Sequence, residues 1–175
     1  DTTTRSFVNI IATPKGGTHQ QGFEQEILRF MRAQVDANAR KLKVGNDKLE
    51  KDDVLAGLTA VLTVSLPEPQ FEGQTKEVLG TPAVRQIVTK VVRDQLGERF
   101  SSSKREDKNQ TAMLLDKVVA EMKARRIAAM EKSYLEGLLK KHQGNVTHCS
   151  EEAGMARSAF QKLMQKYGIR SSQYR

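Results

Sequence analysis

Residues 51–88, KDDVLAGLTAVLTVSLPEPQFEGQTKEVLGTPAVRQIV, hold a change of hydrophobic period that sets the fold class. Asp52 and Asp53 precede a short helical turn through Leu58. From Thr59 to Leu66, Ala60, Leu62, Val64 and Leu66 alternate with Val61, Thr63 and Ser65, the period-two pattern of a half-buried strand. Pro67 and Pro69 stop it. QFEGQTKEVLG, residues 70–80, has no period and contains Gly73 and Gly80, so it reads as an exposed irregular loop. Its Gln74 and Lys76 bring an amide and an ammonium together, a pair that suits a phosphate, although polar loop residues ordinarily meet only water. Thr81 and Pro82 then open a helix whose Val84, Ile87, Val88, Val91, Val92 and Leu96 form a broad apolar stripe ending near Phe100.

The same mixture appears on the N-terminal side. SFVNIIA, residues 6–12, is rich in β-branched and apolar residues and stops at Pro14, Gly16 and Gly17, which predicts one strand and a turn. Thr18 is a plausible cap for a helix reaching about Lys41, with Phe23, Ile27, Phe30, Met31 and Val35 on one face. After Phe100, SSSKREDKNQ reads as a polar interruption. Helical periodicity resumes at Ala112 through Leu115, Val118, Val119 and Met122.

Toward the C-terminus, HQGNVTHCSEEAGMARSAFQKLMQKYG, residues 142–168, reads as two short helices with a glycine turn between them. Gly144 ends the preceding helix, Asn145 can cap the next, and Val146, Cys149 and Ala153 share a face. Gly154 supplies a sharp turn, and Phe160, Leu163, Met164 and Tyr167 form the buried face of the second helix. Arg157, Ser158, Gln161, Lys162 and Gln165 lie opposite. This is the pattern of a helix-turn-helix, for which duplex DNA is the first partner to consider, and equally that of a plain helical hairpin. Upstream, Ile127, Met130, Tyr134, Leu135, Leu138 and Leu139 repeat at helical spacing. A homodimer through residues 127–139 would cover them, as would packing on the preceding domain.

The chain has 29 Lys and Arg against 21 Asp and Glu, a net charge of +8, which favours an anionic partner: DNA, RNA or a membrane surface. No apolar run approaches the roughly 18 residues needed to span a bilayer, so a soluble, cytoplasmic, nucleoid-associated protein is expected. The single cysteine, Cys149, excludes an internal disulfide. His19, His142 and His148 have no companions at metal-ligand spacing, and no nucleophile-and-base motif is present.

Two resemblances add to this. KARRIAAMEKSYLEGLLKKHQGNVTHCSEEAGM and ARSAFQKLMQKYGI, within residues 123–170, resemble the Fis-type helix-turn-helix domain of the NtrC class of regulators. That likeness implies base contact by Arg157, a DNA-facing Lys162 and phosphate contacts from Asn145 and Thr147, while Ala156, Ala159 and Gln161 depart from the polar or basic residues of the family. From the polar face itself, Ser158, Gln161 and Lys166 are expected to meet DNA as well. TTTRSFVNIIATPKGGTHQQGFE, the 51–88 stretch and LLDKVVAEMKARRIAA, within residues 2–127, resemble the transducer domain of the gyrase B and topoisomerase IV B chains of bacteria. This second likeness implies a truncated ribosomal-S5-like α+β fold and an ATP-sensing loop in which Gln74 and Lys76 contact the γ-phosphate when a nucleotide domain is present.

The expectation is therefore an α+β part at 1–122, a short sheet with helices, followed by an all-α Fis-type helix-turn-helix at 123–175. As a function it implies double-stranded DNA binding without enzymatic activity or cofactor of its own. The alternative is a fragment of an ATP-dependent type II topoisomerase, with ATP and Mg engaged only in the complete enzyme and topoisomerase subunits as partners.

Overall fold

A computed structural model describes residues 2–45 and 47–175. It divides into two compact units, residues 1–122 and 123–175.

In the first unit, β1 (Thr3–Val8) runs parallel to β3 (Thr59–Val64), from Thr3 opposite Thr59 to Val8 opposite Val64, and antiparallel to the two-residue β2 (Ile11–Ala12). The single strand expected over 6–12 is thus two strands. Asn9 takes a left-handed conformation, φ 55°, and its side-chain amide donates to the Leu66 carbonyl at 3.1 Å, folding the chain back at Ile10. A second ladder, β4 (Phe71–Glu72) with β5 (Val78–Leu79), forms where only an irregular loop was expected. Two pairs per strand are too few to leave an alternating signature.

Two 20-residue helices, α1 (Thr18–Ala37) and α4 (Pro82–Ser101), pack together. Thr18 is the first helical residue rather than the cap. Gly17 holds the cap position at φ 139°, where its backbone bridges Leu79. The helix expected to reach Lys41 stops at Ala37, and α2 (Ala39–Leu42) follows, closed by Lys43 in the left-handed region. The Asn38 side chain donates to the Gln34 carbonyl, diverting the backbone between the two helices.

Glu50 and Asp53 form a reciprocal capping box for α3 (Lys51–Leu55). The long α5 (Arg105–Lys141) starts seven residues before the expected Ala112, because Glu106 and Asp107 suit the positive end of a helix and Asp107 pairs with Arg99 at 3.1 Å. One apolar core joins Met31 and Val35 of α1 to Val44, Leu49, Val54 and the α5 residues Leu115, Val118, Val119 and Met122. A smaller one joins Val8, Leu79 and Val84. The broad stripe expected to be covered on α4 is fully buried only at Val84 and half-buried at Val88, Val92 and Leu96, while Ile87 and Val91 stay more than half exposed. Among the described residues β3 pairs only with β1, so no further strand lies beyond it to cover them.

The second unit packs Leu135, Leu138 and Leu139 of α5 against α6 (Val146–Glu152) and α7 (Arg157–Lys166) around Cys149, Phe160, Met164 and Ile169. Three of the leucines assigned to a dimer face are therefore covered within their own unit. Ile127, Met130 and Tyr134 remain exposed. Gly154, at φ 64°, makes the turn between α6 and α7. A short 3-10 turn, Ser171–Tyr174, follows.

Candidate functional site

The β4–β5 hairpin is held from below and free above. Leu79 is fully buried against Val8 and Val84. The Gly80 amide donates to the Gln70 carbonyl at 2.8 Å, and the Leu79 amide to that of Gly16 at 3.1 Å. Gly17 lies so close to β5 that an added Cβ would overlap the Leu79 backbone, the physical reason for a glycine directly before α1. Beyond this base, residues 73–77 form the tip, with Gly73 at φ 78° and Lys76 at φ 56°. Gln74, Thr75 and Lys76 are exposed. Neither the Gln74 nor the Lys76 side chain has a hydrogen bond or ion pair among the described residues, whereas both neighbours of Lys76 are engaged: the Thr75 hydroxyl donates to the Glu77 carboxylate at 3.2 Å, and Lys15 pairs with Glu77 at 2.6 Å. An amide and an ammonium are thus left free on a supported tip.

Behind the hairpin, α1 and α4 are joined by a feature invisible to composition. Glu26 is about 1% exposed and accepts from Arg29 at 2.8 and 2.6 Å and from Arg93 at 3.0 and 3.4 Å. Burial pushes its carboxyl up, but the hydrogen bonds and charges of the two guanidinium groups outweigh that and hold it below the usual glutamate range. Gly22 permits the close helix approach, since a Cβ there would lie 2.5 Å from the Arg85 carbonyl oxygen. His19, Gly22 and Glu26 line up at helical spacing on a face beside the apolar one. That spacing is the signal by which sequence reading could have found Glu26. Nothing in the sequence marks Lys15 and Glu77, 62 positions apart, as a pair.

The C-terminal residues are placed as follows. The Asn145 side chain caps α6, accepting from the amides of Thr147 at 3.1 Å and His148 at 3.4 Å. Arg157, Ser158, Gln161 and Lys162 are exposed on α7. Lys166 is tied down, 3.1 Å from Glu131 and 4.7 Å from the centre of the Tyr167 ring, and the Tyr167 hydroxyl donates to the same carboxylate. His142 and Lys141 each lie 2.6 Å from Glu152, closing the start of the hairpin onto the end of α6.

The family model for DNA gyrase B matches residues 1–134. The DNA gyrase B protein of Campylobacter jejuni is 39% identical over 150 residues, covering 84% of this chain and 19% of the relative, and that of Treponema denticola is 44% identical over 126 residues, covering 71% and 19%. The chain thus spans about a fifth of the length of these curated relatives. Among solved structures, the 43K ATPase domain of Thermus thermophilus gyrase B superposes with a TM-score of 0.64 at 29% identity, covering 76% of this chain and 34% of that one. The topoisomerase IV ATP-binding domain of Francisella tularensis gives a TM-score of 0.58 at 31% identity, covering 69% and 32%.

These findings overturn the reading of the chain as a DNA-binding protein built around a Fis-type helix-turn-helix. The gyrase B match continues through residue 123 to residue 134, and the Campylobacter alignment, at 84% of the chain, reaches farther still. The helix assigned to Fis-type dimerisation is gyrase B sequence over that span, and the findings give no support to a Fis-type domain. The resemblance has a physical cause. A cap, a glycine turn and an apolar face at three- and four-residue steps are what any small helical hairpin needs to bury Cys149 and Phe160, whatever its outer face does. No described helix is long and apolar enough to cross a membrane.

Proposed function

Because this chain belongs to the DNA gyrase B family, we propose that it is a transducer segment of an ATP-dependent type II DNA topoisomerase, and that its β4–β5 tip senses the nucleotide. The observation that carries this reading is the pair of unengaged side chains, Gln74 and Lys76, projecting from a hairpin whose base is fixed to the sheet and to the start of α1. Lys76 would supply a point charge and Gln74 an amide donor to the terminal phosphate of ATP bound elsewhere in the complete protein. An amide donor and an ammonium on this tip suit a phosphate group. Among the described residues no cluster of His, Cys, Asp and Glu could hold a metal ion, so Mg would be held by the nucleotide and groups outside this segment. Bound ATP would supply the energy of the reaction. This chain would contribute phosphate contact at the tip and a rigid path from the tip, through Gly16 and Gly17, into α1. Its partners are then the remaining parts of the topoisomerase and the DNA that enzyme handles, with dimerisation belonging to the assembled enzyme.

The test is ATP hydrolysis by a full-length gyrase B carrying residues 1–134 in place of its own equivalent. Lys76→Ala is expected to lower kcat by about 100-fold, the usual size of loss when one charged donor is removed from a developing charge. Hydrolysis unchanged by both Lys76→Ala and Gln74→Ala would refute the reading.

A further inference from the structure

The β4–β5 hairpin cannot hold its own tip. It has two ladder pairs, Phe71 with Leu79 and Glu72 with Val78, and its apolar anchor ends at the buried Leu79. A ladder this short is not stable by itself in water. Past Val78, the tip is reached from elsewhere in the chain by one residue among the described contacts. The Lys15 amide donates to the Glu77 carbonyl at 3.3 Å, and the Lys15 ammonium lies 2.6 Å from the Glu77 carboxylate. That carboxylate also accepts the Thr75 hydroxyl at 3.2 Å, so one acidic group gathers the residues on both sides of Lys76. Lys76 itself sits at φ 56°, a left-handed backbone that a non-glycine residue keeps only where its surroundings impose it.

We propose that Lys15 is the positioning residue of the Gln74–Lys76 tip: by clamping Glu77 from the Pro14–Gly17 turn it holds Lys76 outward and neutralises the one carboxylate beside it. The inference rests on the phosphate-sensing reading above. Its electrostatic part is separate from its mechanical part. A carboxylate next to Lys76 would repel an incoming phosphate, and pairing with Lys15 cancels that repulsion at close range. Glu77 is held in its charged form by the Lys15 and Thr75 hydrogen bonds, which place its carboxyl below the usual range. The pair also joins the tip to the turn that leads into α1, so displacement of the tip is felt at the start of that helix. Lys15 is 68% exposed, so replacing it leaves the core intact.

The test has two arms. In the chain itself, amide hydrogen exchange is followed at residues 15, 79 and 80, whose amides donate to the Glu77, Gly16 and Gln70 carbonyls, for Lys15→Gln, for Glu77→Gln, and for the charge-reversed pair Lys15→Glu with Glu77→Lys. Each single variant is expected to exchange about two- to fivefold faster at residue 15, as fits loss of an exposed pair, and the reversed pair to return toward the parent rate. In the full-length gyrase B carrying residues 1–134, Lys15→Gln is expected to lower kcat for ATP hydrolysis by a few fold, with partial recovery in the reversed pair. Unchanged exchange in the single variants overturns the clamp. Faster exchange with unchanged kcat, where Lys76→Ala does lower turnover, overturns the positioning role. Faster exchange restored by reversal, where Lys76→Ala has no effect on turnover, upholds the clamp and overturns phosphate sensing.

Discussion

Replacing Glu26 by Gln tests whether a buried carboxylate holds α1 to α4. The substitution keeps the volume and removes the charge that draws Arg29 and Arg93 together, so four hydrogen bonds between charged groups at 2.6 to 3.4 Å become at most two, to a neutral amide oxygen. Truncating a fully buried ion pair costs about 3–5 kcal/mol. Here Arg29 and Arg93 are 59% and 48% exposed and regain water when released, which lowers the expectation to about 2 kcal/mol for the Gln variant. For a unit of 122 residues that corresponds to a fall in Tm of about 6–10 °C, read by circular dichroism at neutral pH.

The effect carries a pH signature. Because the folded carboxyl titrates below the ordinary glutamate value of 4.5, its contribution is complete above that value and is lost as pH falls through the folded value. The parent and the Gln variant should therefore converge in stability as the solution is acidified below the ordinary glutamate value and through the folded one. A Gln variant as stable as the parent at pH 7, or a gap that persists undiminished into acid, would refute the account of Glu26 as a charged staple.

Other substitutions probe backbone approach and local capping. Gly22→Ala places a methyl group 2.5 Å from the Arg85 carbonyl oxygen, and chemical denaturation should show a loss of about 1–3 kcal/mol as α1 and α4 are forced apart. Asn145→Ala removes the side chain that accepts the Thr147 and His148 amides; about 1 kcal/mol should be lost from the second unit, with Asn145→Asp retaining most of it.

The sequence carried what depends on near neighbours. Alternation over Thr59–Val64 is enough to specify a strand, since its side chains fall on two faces whatever lies beyond. Pro82 and the stripe after it start a helix for equally local reasons, and Asn145 and Gly154 punctuate the C-terminal helices through their own backbone preferences. The exposed tip with Gln74 and Lys76 was legible because glycine and polar residues without a period exclude burial. The brief ladder on either side of it was not, since two residues per strand show no alternation.

Tertiary structure decided the rest, because those choices depend on residues far apart in the chain. The parallel pairing of β1 with β3 spans more than fifty residues and leaves no local trace. The same arrangement leaves Ile87 and Val91 uncovered although their spacing is that of a buried stripe, while Leu135, Leu138 and Leu139 are taken up by α6 and α7 instead of by a partner. The helix-turn-helix pattern shows the limit most directly: spacing specifies that two helices fold back on one another, but the face left outside carries function only through what it meets. Burial of Glu26 and the meeting of Lys15 with Glu77 are likewise properties of the packed molecule, since an ion pair forms only after the backbone has brought its two charges together.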